Sequence, residues 1–171
     1  MEVKELPEGE EVFIDANVFI FHALENSKYA ESSTQFLERV EHGEVNAVTN
    51  VLVLNEVAFK ILMAELSNYS EKFSIWVARK LLKSKEIAEK AYRPVRKYIA
   101  YLKGLERLEV VGITPKIAFL SVELGERYGL LPSDSFHLAT MKEFGKKFIV
   151  TDDEDFKRVE WAVPIELEVI G

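Results

Sequence analysis

Five short runs rich in β-branched and aromatic residues, 11–15, 45–49, 108–113, 147–150 and 164–170, recur along the chain, and most are separated by stretches long enough for helices. Strands that alternate with helical patterns build a parallel sheet with helices on both faces, because parallel neighbours need a long crossover. Residues 28–42 read as an amphipathic helix, with Tyr29, Phe36, Leu37 and Val40 on one side and Gly43 closing it. Thr49 is placed to cap the helix of NVLVLNEVAFKILMAEL. A helical region follows from about Ser70 to Leu105, and Pro94 is expected to break or kink it near Arg93. Pro115 to Tyr128 reads as a helix stopped by Gly129, and DSFHLATMKEF as another, opened by Pro132 and Ser133 and stopped by Gly145. No repeat, low-complexity tract or linker divides residues 1–171, so they read as one α/β domain.

The first run, VFIDANVFIF, places the carboxylate of Asp15 among residues that are easily buried. An ionised carboxylate in such surroundings costs several kcal/mol unless something pairs with it. Asp15 therefore either caps something at the strand's end or belongs to a site.

Other acids fall at equivalent places. The fourth strand runs straight into TDDEDF, which puts Asp152 and Asp153 at its carboxyl end, as Asp15 is at the end of the first. Asp134 falls in the first turn of a helix, and Glu56 is the only charge between Val51 and Phe59. Ligands of open α/β sheets bind beyond the carboxyl ends of the strands, where these four places can share one crevice. Carboxylates crowded there repel and hold their protons unless a cation neutralises them. A hard divalent ion with oxygen ligands, Mg2+ or Mn2+, does so, and such a site activates water for phosphodiester hydrolysis.

Each residue also has a structural reading. Asp134 complements a helix dipole. Asp152, Asp153 and Asp155 read as a turn and a cap before Phe156, and Asp155 is assigned to that cap. Glu56 could face solvent. His137, three residues after Asp134, reads as a packed histidine or one that supports the acids rather than a ligand. His22 and His42 carry no signal, Ser32, Ser33 and Thr34 have no base to activate them, and no glycine-rich phosphate loop is present.

Composition matters for the partner. The chain has no cysteine, which excludes disulfides, thiolate zinc sites and cysteine catalysis and suits the cytoplasm. The acidic N-terminus does not read as a signal peptide, and no apolar run is long enough for a membrane span. A formal net charge of −7 argues against a polyanionic partner, but residues 79–107 hold ten Lys or Arg against three Glu, a local +7 that leaves −14 for the rest. On a helical wheel Arg79, Lys83, Lys90, Arg93 and Lys97 share one side, opposite Val77, Leu81, Ala88, Val95, Ile99 and Leu102. That side is a solvated face, an arm that tracks RNA phosphates, or a surface for an acidic protein or a second subunit.

In FIDANVFI, the NEV of VTNVLVLNEV, LLPSDSFHLAT and IVTDDEDF, taken in that order, the chain resembles the PIN-domain ribonucleases, and within them the VapC-type toxins of toxin–antitoxin pairs. The resemblance implies a three-layer α/β/α sandwich with a mainly parallel sheet, here with an enlarged helical region at about 70–107. It implies an endoribonuclease dependent on Mg2+ or Mn2+, leaving a 5′-phosphate and a 3′-hydroxyl. Its acidic set maps onto Asp15, Glu56, Asp134 and Asp153, with Asp15 and Asp134 holding the main metal and Glu56 and Asp153 completing the site or positioning water. Asp153 is preferred over Asp152 because the family spelling is T-x-D-x-D-F. Asn17 and Thr151 become supporting residues. RNA, a cognate antitoxin and a second copy in a homodimer become the expected partners. The competing readings are a PIN-like scaffold that binds RNA or protein without cutting, and a housekeeping RNA-processing nuclease. A haloacid-dehalogenase phosphatase would want Asp where Asn17 stands.

Overall fold

The computed structural model describes residues 1–6, 9–25 and 28–169. Five parallel strands form one sheet: β1 (Glu11–Ile14), β2 (Asn46–Asn50), β3 (Leu108–Val111), β4 (Phe148–Val150) and β5 (Val163–Ile165), in the order β3-β2-β1-β4-β5. In the central strand, Val12, Phe13 and Ile14 are successive and all fully buried. Successive side chains point to opposite faces, so both faces of the sheet are covered and the architecture is the expected three-layer sandwich.

Helices α1 (Ala16–Ala23) and α2 (Ala30–Glu41) cross from β1 to β2, and α3 (Val51–Ser67), α4 (Ile75–Leu81) and α5 (Lys85–Gly104) cross from β2 to β3. Helix α1 packs on α2 and α3, and α3 packs on α4 and α5. The chain then returns past β1 through α6 (Pro115–Tyr128) and α7 (Pro132–Glu143), which pack on each other. Right-handed crossovers put this return on the opposite face from the earlier ones. The direction of strand addition reverses between β1 and β4, and a crevice opens at that switch beyond the strand ends. No helix among the described residues is long and apolar enough to cross a membrane.

Several local expectations need correction. The apolar run after Asp15, for which the sequence predicts no element, is helix α1, and its residues Ala16, Val18 and Phe19 are buried. Asn50, not Thr49, caps α3: its side-chain oxygen accepts from the Val53 N–H at 3.0 Å. Thr49 is buried and donates its hydroxyl to the Ile14 carbonyl at 2.9 Å, tying β2 to β1. Helix α5 runs unbroken through Pro94. The carbonyl that Pro94 leaves without a donor belongs to Lys90, which is exposed, so water can satisfy it. The helical region breaks earlier, at 82–84, where the Ser84 hydroxyl accepts from the Ile87 N–H. Strand β3 ends at Val111 and β5 at Ile165, both short of the expected 113 and 170; Ile170 lies outside the described residues.

Candidate metal centre

Asp15 turns out to be a cap and a member of a cluster at once. The chain passes from β1 directly into α1, and Asp15 is the hinge residue, 6% exposed. Its N–H donates to the Val150 carbonyl at 3.1 Å, which joins it to the end of β4. One carboxylate oxygen accepts from the Ala16 N–H at 2.6 Å, and the other accepts from the Thr151 hydroxyl at 2.7 Å. Burial raises the Asp15 pKa, and Glu56 adds to that, against the opposing pull of His137 and the two hydrogen bonds.

Thr151 knits the strand ends together. Besides donating to Asp15, its oxygen accepts from the Asn17 amide at 3.2 Å and from the Asp153 N–H at 3.0 Å. Asn17 and Thr151 therefore occupy the positions of residues that fix the carboxylate of Asp15. The Asp153 side chain accepts from the Asp155 N–H at 2.8 Å and so caps the short 3-10 turn Glu154–Arg158. This corrects the assignment of Asp155 as the cap. Asp155 lies inside the turn and pairs with Arg158 at 2.6 Å.

Glu56 faces the crevice from the second turn of α3. It accepts from the Ser133 hydroxyl and faces His137 Nε2 at 3.4 Å. His137 is fully buried, packs on the Phe13 ring at 5.7 Å, and brings Nε2 to 3.8 Å from Asp15. Asn50 selects the tautomer. Its oxygen is committed to Val53, so its amide hydrogens face Thr140 at 2.9 Å and His137 Nδ1 at 3.3 Å. Nδ1 is thus an acceptor, and the proton sits on Nε2, pointing at the acids. Burial alone would lower the His137 pKa, but Glu56, Asp15 and Asp134 together draw it upward.

The acids form two adjoining groups. Asp15, Glu56 and His137 each offer one ligand atom within 4.8 Å of the others, and so do Asp134, Asp153 and Asp155. Asp134 links the groups electrostatically. Its pKa is pushed up to about 6, first by burial, then by Asp153 and Asp15 and by Glu56 beyond them, with His137 opposing. The structure thus brings Asp15, Glu56, Asp134 and Asp153 into one crevice. Asp152 points outward, exposed, and joins neither group. Hard carboxylate oxygen donors suit a hard divalent cation, and His137, with its proton on Nε2, supports the acids as a hydrogen-bond donor. The buried Asn17 side-chain oxygen, which has no partner among the described residues, is consistent with that fit.

Sequence reasoning missed Ser133, Asn50, and Asp155 as a member of a group; the signals were there in the Ser-Asp pair opening α7 and in the repeated Asp of TDDED. The basic residues are elsewhere. Arg79, Lys83, Lys90, Arg93 and Lys97 lie exposed on α4, α5 and the turn between them, and Lys90 is paired with Glu86 at 2.7 Å. The apolar side of the wheel packs inward, with Val95 and Leu102 buried and Val77, Leu81, Ala88 and Ile99 partly so.

Residues 12–162 match the family model of the PIN domain. Ribonuclease VapC2 of Methanocaldococcus jannaschii is 24% identical over 169 residues, covering 94% of this chain and 96% of that protein. Among solved structures, Mycobacterium tuberculosis VapC20, described as a Sarcin-Ricin loop cleaving toxin, superposes with a TM-score of 0.60 at 14% identity, over 88% of this chain and 96% of that one. VapBC2 from Rickettsia felis, solved bound to a DNA fragment from its promoter, gives a TM-score of 0.58 at 16% identity, over 92% and 99%. These two likenesses are likenesses of fold.

Proposed function

Since the chain belongs to the PIN domain family, we propose that it is an endoribonuclease of the VapC kind, a toxin that hydrolyses RNA phosphodiester bonds with Mg2+ or Mn2+ and is held in check by a cognate antitoxin. We read residues 1–171 as one PIN-like unit, enlarged by the basic helices α4 and α5, that works in the cytoplasm as a homodimer.

One observation carries the reading. Four carboxylates from four separate segments converge at the switch point, and their mutual repulsion and burial hold Asp134 near pKa 6. Nothing in folding alone calls for such a cluster, whereas a divalent cation relieves it. A bound ion of this class lowers the pKa of water and neutralises a phosphate under attack.

The chain's own residues have distinct tasks in this scheme. Asp15 and Asp134 would hold the main cation. Thr151 and Asn17 lock the Asp15 carboxylate in one rotamer. Ser133 and His137 donate to Glu56, which leaves that carboxylate fixed as an acceptor for a proton of the attacking water. Asp153 completes the site, held by the Thr151 hydroxyl on one side and the turn on the other.

The test is cleavage of total RNA by the wild-type chain in Mn2+, in Mg2+ and in EDTA, beside Asp134→Asn. Fragments with 5′-phosphate ends that appear only with metal and only in the wild type support the proposal. RNA left intact with metal bound favours a silent scaffold.

A further inference from the structure

The outer face of α3 does not end its role at Glu56. Phe59 follows one turn later and is 46% exposed, and Lys60 beside it is exposed as well. Residues three and four apart lie next to one another on a helix, so Glu56, Phe59 and Lys60 share one stretch of surface. Glu56 is engaged by Ser133 and His137 rather than by Lys60, although the i,i+4 spacing would allow that pair. Leu131, 68% exposed, comes two residues before the Ser133 that touches Glu56. Two bare apolar side chains therefore lie close in sequence to groups of the acid crevice, Phe59 one turn beyond Glu56 and Leu131 two residues before Ser133, with the cation of Lys60 next to the first.

We propose that Phe59 is the platform on which an unpaired nucleobase stacks beside the scissile phosphate, and that Lys60 holds the neighbouring phosphate. This rests on the ribonuclease reading above. The occupant follows from the chemistry. Every base offers a π face to an aromatic ring, and proteins that engage single strands combine such rings with nearby cations. A base within a duplex has both faces covered by its neighbours, so the platform selects single-stranded or looped RNA. A purely apolar partner would leave Lys60 desolvated without a counter-charge.

The inference is tested by binding alone, which separates it from the cleavage test. The parent is Asp134→Asn, which blocks hydrolysis and lifts repulsion in the crevice. Its affinity for a fluorescent single-stranded RNA of about 12 nucleotides is measured by anisotropy over a salt series, with the same sequence as a duplex for comparison. Adding Phe59→Ala should weaken single-strand binding roughly tenfold and leave duplex binding alone, and Phe59→Trp should restore it. Adding Lys60→Ala should lower the salt slope by about 0.7, the share of one phosphate contact on a single strand. The inference is overturned if the parent fails to bind the single strand, if Phe59→Ala binds like the parent, or if Phe59→Ala weakens single strand and duplex equally. It is also overturned if Phe59→Ala turns a dimer into a monomer by light scattering, which would assign the face to a second copy.

Discussion

The acid cluster predicts that a conservative loss at Asp134 stabilises the metal-free protein. The carboxylate titrates at about 6 instead of 3.8. Because the folded-state value is raised, the folded protein keeps a proton in that window which the unfolded chain has released. Stability therefore falls as pH rises through the window, and the loss is complete above it. Undiscounted, the shift corresponds to about 3 kcal/mol at 1.36 kcal/mol per unit. The carboxylate is only half-buried, so solvent and salt screen roughly half of this. Asparagine also forgoes the favourable charge in the first turn of α7, which is worth roughly 0.5 kcal/mol. The net expectation for Asp134→Asn is a gain of about 1 kcal/mol at neutral pH in EDTA, or about 2–4 °C in Tm for a chain of this size, and no gain near pH 4. Thermal melts followed by circular dichroism across that pH range check it. A variant that melts below the wild type in EDTA at neutral pH would refute the claim that the acids repel. So would a wild type whose stability does not fall relative to the variant between pH 4 and 6.

Three further outcomes follow from the same structure. Calorimetric titration of Mn2+ into the wild type should show saturable binding, absent in Asp15→Asn/Asp134→Asn, and the added metal should raise the wild-type Tm more at neutral pH than at pH 5, where Asp134 is protonated. Thr151→Val removes a buried donor to Asp15 and the acceptor of two N–H groups, so it should cost about 2–3 kcal/mol by denaturant unfolding and abolish cleavage; a loss below about 0.5 kcal/mol would deny it that linking role. Replacing Lys83, Lys90 and Lys97 together by Ala should weaken RNA binding and flatten its salt dependence, with Lys90 contributing least because Glu86 already pairs with it; unchanged binding would remove α5 from the RNA path.

What could be read from the sequence depended on the kind of signal. Helices α2, α6 and α7 end at glycines with positive φ, Gly43, Gly129 and Gly145, and amphipathic spacing announces the first two. Helix α1 carries neither signal. ANVFIF is mostly apolar, with Ala16, Val18 and Phe19 buried, and a short apolar run without periodicity does not tell a buried helix from a strand. The four acids stood out because Asp15 and Asp153 end strands, Glu56 is the one charge in an apolar run, and Asp134 opens a helix. Their partners did not, because the contacts span long separations: Asn50 reaches His137, and Glu56 reaches Ser133. No local pattern encodes such pairs. Pro94 does not end α5, because the carbonyl it frees belongs to the exposed Lys90, where water takes the place of the missing donor.

The hydrogen bond from Thr151 to Asp15 spans 136 positions. On the ribosome, β1, β2 and β3 are all made before α7 and β4 exist. A nascent chain carrying Asp15 and Glu56 still lacks Asp134 and Asp153, and its central strand still has one edge open. The full set of acids comes together only once α7, β4 and the turn after it have been made. Until then the crevice that the proposed cleavage needs does not exist. The order of strands in the sheet acts as a delay, set by translation itself.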